Sequence, residues 1–352
     1  MSKPSDRYFQ SIKKRLLLLG VTTLLLPAAL VVSVAVGAVS IPLTETWAII
    51  CGANAEPRLV RIIMAIRLPQ ALAAIIAGAG LAISGATMQG VLRNPLCAPF
   101  TLGISGAAAF GAALMLFLGG GRVVMMDNTM AGSGFSQGAI ALGAFLWAML
   151  ATVVILLVGR LHGSRSETII LIGIALQSLF SAGLMFLQYL SDDARLAAIV
   201  FWTFGDTARA TWQGIGLMFL CVVPVSLYFM SQSWNYNTLA FGEETAMGLG
   251  VPVRRLRVIT MLLASFLTAV LVSLLGIIGF VGLVVPHIAR LFVGSDNRFL
   301  LPFSLVSGGL LLLIADTAAR LMLAPRVLPV SILTAFIGVP VLLLLVLNRR
   351  SV

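Results

Sequence analysis

Long apolar runs alternate along the chain with short segments that hold most of its charges. About 20 apolar residues in a helix cross the hydrocarbon core of a bilayer. The pattern therefore predicts an all-α integral membrane protein with about ten transmembrane helices. Their expected positions are 16–39, 69–92, 100–119, 137–159, 168–189, 213–231, 257–278, 280–294, 299–322 and 330–348. The run 280–294 is short and contains Pro286, so whether it crosses the whole bilayer stays open.

Composition supports a membrane protein. Hydrophobic residues make up 60% of the chain and charged residues 10%, with a mean hydropathy of +1.07. An ordinary soluble domain carries about 25% charged residues. We therefore interpret residues 1–352 as one transmembrane domain. The net charge of +11 does not indicate a nucleic-acid partner, because the basic residues lie in short clusters between the apolar runs.

The Lys and Arg residues predict the orientation, since short cytoplasmic loops are enriched in them. With the N-terminus inside, 15 of the 23 lie in inside segments and the other 8 in outside segments or outer helix ends. Both termini are expected in the cytoplasm, with an N-terminal tail at about 1–15. Lys13-Lys14-Arg15 before Leu16–Val36 resembles a signal peptide, but the apolar run is too long and lacks a convincing cleavage site. We expect a retained first helix.

The connections on the two sides differ. The longer outside ones are expected at about 40–68, 120–136 and 190–212, and Leu196–Phe204 in the last is suited to a short surface helix. The longest inside connection, at about 232–256, holds Glu243-Glu244 and then Gly248, Gly250 and Pro252. Its order predicts a short polar helix, a glycine stop and a proline turn.

Small residues are dense within two of the runs. Ala74–Gly85 and Gly103–Ala113 are rich in glycine, alanine and serine. Helices associate in lipid by close backbone approach, and small residues permit it. Both stretches are expected to form helix–helix contacts.

Ionisable residues are sparse inside the runs, which disfavours a proton- or sodium-coupled carrier. Asp316 and Arg320 lie one helical turn apart and are expected to pair, while His287 is expected to pack within its helix. The three cysteines show neither disulfide nor metal spacing, and we expect no metal site. The chain has no recognisable catalytic grouping and no phosphate loop, so it is not expected to be an enzyme. Any ATP must be hydrolysed by another subunit.

Four segments, in order from about residue 60 to the C-terminus, together resemble the FecCD family of importer permeases for ferric siderophores, haem and cobalamin. They are Arg67-Leu68-Pro69-Gln70 with Gly85-Ala86-Thr87-Met88-Gln89-Gly90 and Arg93-Asn94-Pro95-Leu96; Phe241-Gly242-Glu243-Glu244 through Gly248-Leu249-Gly250-Val251; Gly279-Phe280-Val281-Gly282-Leu283-Val284-Val285-Pro286-His287; and Ala315-Asp316 through Arg320 to Leu328-Pro329.

The resemblance implies a ten-helix permease that pairs with a second copy in a prokaryotic cytoplasmic or inner membrane. It implies two ATPase subunits, which use ATP and Mg, and a soluble or lipid-anchored binding protein outside. The chain itself is expected to hold no permanent cofactor. The cargo implied is a siderophore, haem or cobalamin, with a molybdate-like oxyanion as an alternative within the family. A secondary carrier and a membrane-embedded enzyme are the competing hypotheses.

The resemblance also implies roles for individual residues. The segment at about 235–255 resembles the coupling helices that contact the ATPase, and we expect Glu243 and Glu244 at that contact. Arg67 and Arg320 match arginines that face outwards to pair with glutamates of the binding protein. Gln70 stands where a second arginine is common, so Arg61 or Arg326 is the alternative for that contact. The residues expected at coupling are Phe241, Gly242, Glu243, Glu244, Gly248, Gly250 and Pro252, and those expected at the cytoplasmic gate are Asn94, Leu96, Ser166 and Glu167.

Overall fold

The structure, a computed structural model, describes residues 4–37, 39–52, 55–119, 136–161, 166–323 and 326–348. Throughout these ranges the regular structure is helical. Two irregular turns accompany the α-helices, a π-helical segment at Ile62–Arg67 and a 3₁₀ turn at Thr207–Arg209. The α-helices are α1 Pro4–Ala35, α2 Leu43–Ile50, α3 Pro57–Arg61, α4 Leu68–Val91, α5 Ile104–Leu118, α6 Gln137–Leu161, α7 Ser166–Tyr189, α8 Asp193–Thr203, α9 Trp212–Ser231, α10 Ser233–Ala240, α11 Glu243–Gly248, α12 Val253–Leu275, α13 Val281–Val293, α14 Asn297–Met322 and α15 Val330–Asn348.

The membrane helices match the predicted runs. In the described part of the chain, seven helices are long and apolar enough to cross a bilayer, and three shorter apolar helices accompany them. The expected all-α membrane fold with about ten helices is therefore confirmed. The predicted surface helix is also present as α8, and the inside connection contains the two short helices α10 and α11.

The first helix begins earlier than predicted. We expected a tail up to about residue 15, but α1 starts at Pro4. Proline suits the first turn of a helix, and nothing between it and Leu16 interrupts helix formation. The stretch apolar enough for the membrane starts at Ile12. The N-terminal segment is thus a helical extension of the span.

Helix α4 lies at the centre of the fold and is buried along most of its length. It crosses α14 where Gly78 meets Gly308, and a Cβ added at Gly78 would lie 2.2 Å from the Gly308 carbonyl oxygen. It crosses α13 where Gly85 meets Gly282, and a Cβ at Gly85 would lie 1.7 Å from the Gly282 oxygen. Only glycine allows backbones this close. The predicted contact role of Ala74–Gly85 is confirmed.

Helix α13 is too short to cross the bilayer, because 13 residues at 1.5 Å per residue span about 20 Å. It begins beside the middle of α4, since a Cβ at Gly282 would lie 2.7 Å from the Leu81 oxygen. The non-helical segment 276–280 leads into it, with Phe280 in the left-handed region at φ 66°. The Asp206 amide bonds the Leu275 oxygen at 2.8 Å. This irregular backbone is packed against protein, as lipid requires.

Candidate functional site

A buried polar cluster joins three helices near their outer ends. Asp316 on α14 is 1% exposed and accepts hydrogen bonds from Gln70 at 2.9 Å and from the Thr207 hydroxyl. Arg320 pairs with Asp316 at 3.1 Å and donates to the Ser33 carbonyl and hydroxyl at 3.1 and 2.7 Å. The predicted pairing of Asp316 with Arg320 is confirmed. The cluster ties α14 to α1, α4 and the loop before α9.

Arg67 binds the end of α1. Its guanidinium donates to the carbonyls of Val34 and Ala35 at 3.0 and 2.9 Å and to the carbonyl of Val39. The last carbonyls of a helix have no partner within it, and Arg67 donates to the Val34 carbonyl and, beside the Ile41 amide at 3.2 Å, to the Ala35 carbonyl. A Cβ at Gly37 would lie 2.6 Å from the guanidinium, which explains the glycine there. Arg67 therefore caps α1.

These contacts conflict with the expectation that Arg67 and Arg320 face outwards. The two side chains are 6% and 9% exposed, and each donates to groups of its own chain. Gln70 likewise turns inwards to Asp316. The reason is local, because unpaired carbonyls and a buried carboxylate lie within reach. Arg61 and Arg326 are exposed, and their docking role stays a prediction.

The predicted coupling segment folds as α10, α11 and two turns. Gly242 and Gly250 have φ of 122° and 84°, values that side-chain-bearing residues rarely adopt. Gly248 differs, because it ends α11 and a Cβ there would meet nothing within 4 Å. Pro252 precedes α12 as its N-cap. The expected polar helix, glycine stop and proline turn are present, but the turns require Gly242 and Gly250 and not Gly248.

Internal bonds hold the coupling segment to α12. The Tyr236 hydroxyl of α10 lies 2.8 Å from the Thr260 hydroxyl. Glu243 forms an ion pair with Arg257, which is 3% exposed. Glu243 thus has a partner within the chain while its side chain stays 41% exposed, and its place at the ATPase contact stays a prediction. Its neighbour Glu244 is exposed.

The water-facing side of this segment carries large apolar side chains. Phe241 is 80% exposed, Leu249 70%, Trp234 63% and Met247 56%. Exposed apolar side chains on a segment between two membrane helices are suited to contact with a protein partner. Phe241 was expected there from the sequence, whereas Trp234 was missed because it lies before the motif.

The four predicted gate residues lie in two places. Asn94 accepts a hydrogen bond from the Leu96 amide at 2.9 Å, so its side chain stabilises the turn after α4. Ser166 and Glu167 begin α7, with Glu167 exposed. Their part in gating stays a prediction. Across the described residues no three His, Cys, Asp or Glu side chains group together to hold a metal ion, and His162 lies outside those residues.

A set of polar contacts that joins α10 to α14, called the clamp below, was not predicted from the sequence. Asp296 is the N-cap of α14 and binds both Asn237 of α10 and Arg298. Asp296 before an apolar helix is itself an N-cap signal. Its partner in α10 lies 59 residues earlier, and no local pattern marks that pairing.

Together, these helices and the short helices between them define a multi-pass α-helical membrane protein. A family model described as the FecCD transport family matches residues 24–348, and the chain belongs to that family. It is therefore the permease subunit of a metal-chelate type ABC importer in a prokaryotic membrane, a class that works with an ATPase and a binding protein.

Several relatives match along most of their length. A candidate ABC transporter permease protein of Methanocaldococcus jannaschii is 50% identical, with 82% of each chain covered. The molybdate import system permease protein of Haemophilus influenzae is 36% identical, covering 93% of this chain and 94% of that one. The hemin transport system permease protein of Yersinia pestis is 34% identical, covering 95% and 96%. The cargo named thus differs between relatives.

A solved structure shares the fold. It is described as an inward-facing conformation of a candidate metal-chelate type ABC transporter, and it is 34% identical to this chain with a TM-score of 0.80. The match covers 94% of this chain and 98% of that one. Fold and family therefore agree.

Proposed function

We propose that two copies of this chain pair around a central pathway and work with two ATPase subunits, which use ATP and Mg. The observation that carries the ATPase contact is the apolar surface of Phe241, Met247 and Leu249. Phe241 and Leu249 lie beside the turns at Gly242 and Gly250, and Met247 lies on α11 between them. A short, rigid segment transmits force better than a mobile loop, and its apolar side chains match a protein groove.

We propose that the cargo is a metal chelate or a related cofactor, of the iron-siderophore, haem or cobalamin class. It passes from the binding protein to the cytoplasm by alternating access. The names of the relatives support this class, since hemin occurs among them, and vitamin B12 is named for a permease of Citrobacter koseri that is 38% identical. The molybdate permease keeps an oxyanion as the alternative cargo.

The cargo is testable through the binding protein that delivers it to this permease. Native mass spectrometry of that protein, purified from its own cells, should show a bound metal chelate, haem or cobalamin, each identifiable by its mass. A bound oxyanion would instead support the alternative. The same ligand must then enter proteoliposomes that contain the assembled complex.

A secondary carrier is the competing mechanism, and ATP dependence separates the two. Proteoliposomes with the permease, the ATPase and the binding protein should import cargo only with ATP. An ATPase variant unable to hydrolyse ATP should abolish import while assembly persists. Import driven by an ion gradient without ATP would overturn the proposal.

The exposed arginines are the stronger candidates for docking the binding protein. Arg61 and Arg326 are free to meet carboxylates, whereas Arg67 and Arg320 are engaged in their own chain. Charge pairs at a rim mainly set the encounter rate, and salt screens them. Reversing Arg61 and Arg326 to Glu should slow association at low salt, and equal rates would remove this assignment.

A further inference from the structure

The coupling segment is linked to two different parts of the membrane domain. Tyr236 and Glu243 bind α12, which directly continues the same segment. Asn237 instead binds residues at the start of α14. Asn237, together with the contact between Trp234 and Arg298, thus joins α10 to the start of α14.

Asn237 uses both ends of its amide in this contact. Its Nδ2 donates to the Asp296 Oδ1 at 2.8 Å. Its Oδ1 accepts from the backbone amide and from the side-chain Nδ2 of Asn297, each at 2.8 Å. Three bonds to two consecutive residues fix both the position and the orientation of the Asn237 side-chain amide. A residue in an exposed loop does not need such bonds.

Asp296 is held equally firmly on its other side. Its carboxylate accepts from the Arg298 Nη2 at 2.7 Å and from the Arg298 backbone amide at 3.1 Å, which caps α14. Burial raises the pKa of Asp296, but hydrogen bonds from Arg298 and Asn237 outweigh it and lower the pKa to about 2. The Arg298 guanidinium lies 4.4 Å from the ring centroid of Trp234 on α10, which adds a cation–π contact. The clamp thus consists of Trp234, Asn237, Asp296, Asn297 and Arg298.

The clamp lies beside the turn that follows the short helix α13. Residues 294–296 join α13 to α14, and Gly294 has a φ of 79°. On the N-terminal side, the non-helical segment that leads into α13 begins at Gly276, with a φ of 82°. Glycines with positive φ therefore lie before and after α13. Near its cytoplasmic end α13 is tied to α4 by the Arg290 Nη1, which donates to the Gln89 Oε1 at 2.6 Å. A short helix between such turns can tilt without breaking its own hydrogen bonds.

We infer that Asn237 is a positioning residue that passes displacement of the coupling segment to the turn between α13 and α14. The inference rests on the proposed ATPase contact, since the ATPase must supply the displacement. The role of Asn237 differs from the role proposed for Phe241, Met247 and Leu249, because Asn237 binds α14 whereas those three side chains are exposed.

The test compares charge variants in the assembled complex. Asn237→Asp places a second carboxylate against Asp296 and breaks the clamp. The double variant Asn237→Asp with Asp296→Asn removes that repulsion and lets the amide nitrogen at position 296 donate to the carboxylate at position 237, while Arg298 keeps only the amide oxygen at position 296 as its acceptor. Gln232→Glu is the matched control, because it adds the same charge nearby and still accepts the 2.7 Å bond from Asn235.

The readouts are transport per ATP hydrolysed and the ATP-dependent hydrogen exchange of residues 294–299. Asn237→Asp should lower transport per ATP by about tenfold, the order expected for a lost hydrogen bond to a charged group. Exchange within α10 and α11 should still respond to ATP, whereas the turn should not. The double variant should recover the ATP response of the turn and part of the lost transport, and Gln232→Glu should behave as the wild type.

The outcomes separate the inference from the proposed function. If the wild-type coupling segment does not respond to ATP, the ATPase contact itself is wrong. If that segment responds and the turn still responds in Asn237→Asp, the inference is overturned. Where Asn237→Asp fails to assemble, the double variant decides, and failure to restore both readouts counts against the inference.

Discussion

Replacing Arg320 by alanine should destabilise the permease, because Arg320 completes a buried cluster. The change leaves Asp316, which is 1% exposed, without its cation and removes both bonds to Ser33. Breaking a buried ion pair costs about 3–5 kcal/mol, whereas single side-chain hydrogen bonds in membrane proteins contribute about 0.6 kcal/mol. Gln70 and Thr207 still donate to the carboxylate. We therefore expect the free energy of unfolding to fall by about 3 kcal/mol, the lower end of the range for a broken buried ion pair.

The assay is SDS-driven unfolding in mixed micelles, which yields a free energy of unfolding. Arg326→Ala is the control, since this exposed arginine should change the free energy by no more than about 0.5 kcal/mol. The double variant of Asp316 and Arg320 to alanine should cost less than the sum of the single changes, because the partners share one interaction. If Arg320→Ala unfolds like the wild type and loses only association with the binding protein, the structural role is refuted and Arg320 is a docking residue.

Three further results are expected from the same protein. Gly85→Ala should cost about 1–3 kcal/mol of unfolding free energy by overpacking a helix crossing, whereas Gly90→Ala, with nothing within 4 Å, should be neutral or stabilising by about 1 kcal/mol. Gly250→Val should reduce transport per ATP because φ is 84°, while Gly248→Val should not, and equal effects would contradict the assignment. Asp296 has its pKa lowered to about 2, so its stabilising contribution is present above about pH 4 and is lost as pH falls towards 2; the unfolding difference between wild type and Asp296→Asn should shrink over that range.

Hydrophobic pattern and local spacing were sufficient to predict much of the fold. The long apolar runs match the membrane helices, and the short run around Pro286 became the short helix α13. The pairing of Asp316 with Arg320 also followed from spacing, since both lie on one helix face. These features depend on residues close together in the chain.

Contacts between distant segments were not predictable in the same way. Arg67 was expected to face outwards, but the carbonyls it caps belong to α1, about 30 positions earlier. Glu243 pairs with Arg257 of α12, 14 positions later, and this internal pairing was not predicted from the sequence. From sequence alone, a polar side chain such as that of Arg67 is equally suited to docking a partner or to pairing within the chain. Only the positions of the helices distinguish the two.

The central position of α4 has a consequence for biosynthesis. The continuous span Pro57–Val91, which contains α4, has a hydropathy of 1.8, the lowest among the seven long apolar spans of the described residues. Its crossing partners at Gly282 and Gly308 are translated about 200 residues later. During synthesis α4 therefore enters the membrane long before the surfaces that bury it exist. Final packing of the permease must wait until α14 has left the ribosome, and a nascent chain halted before α13 would hold α4 with two open grooves.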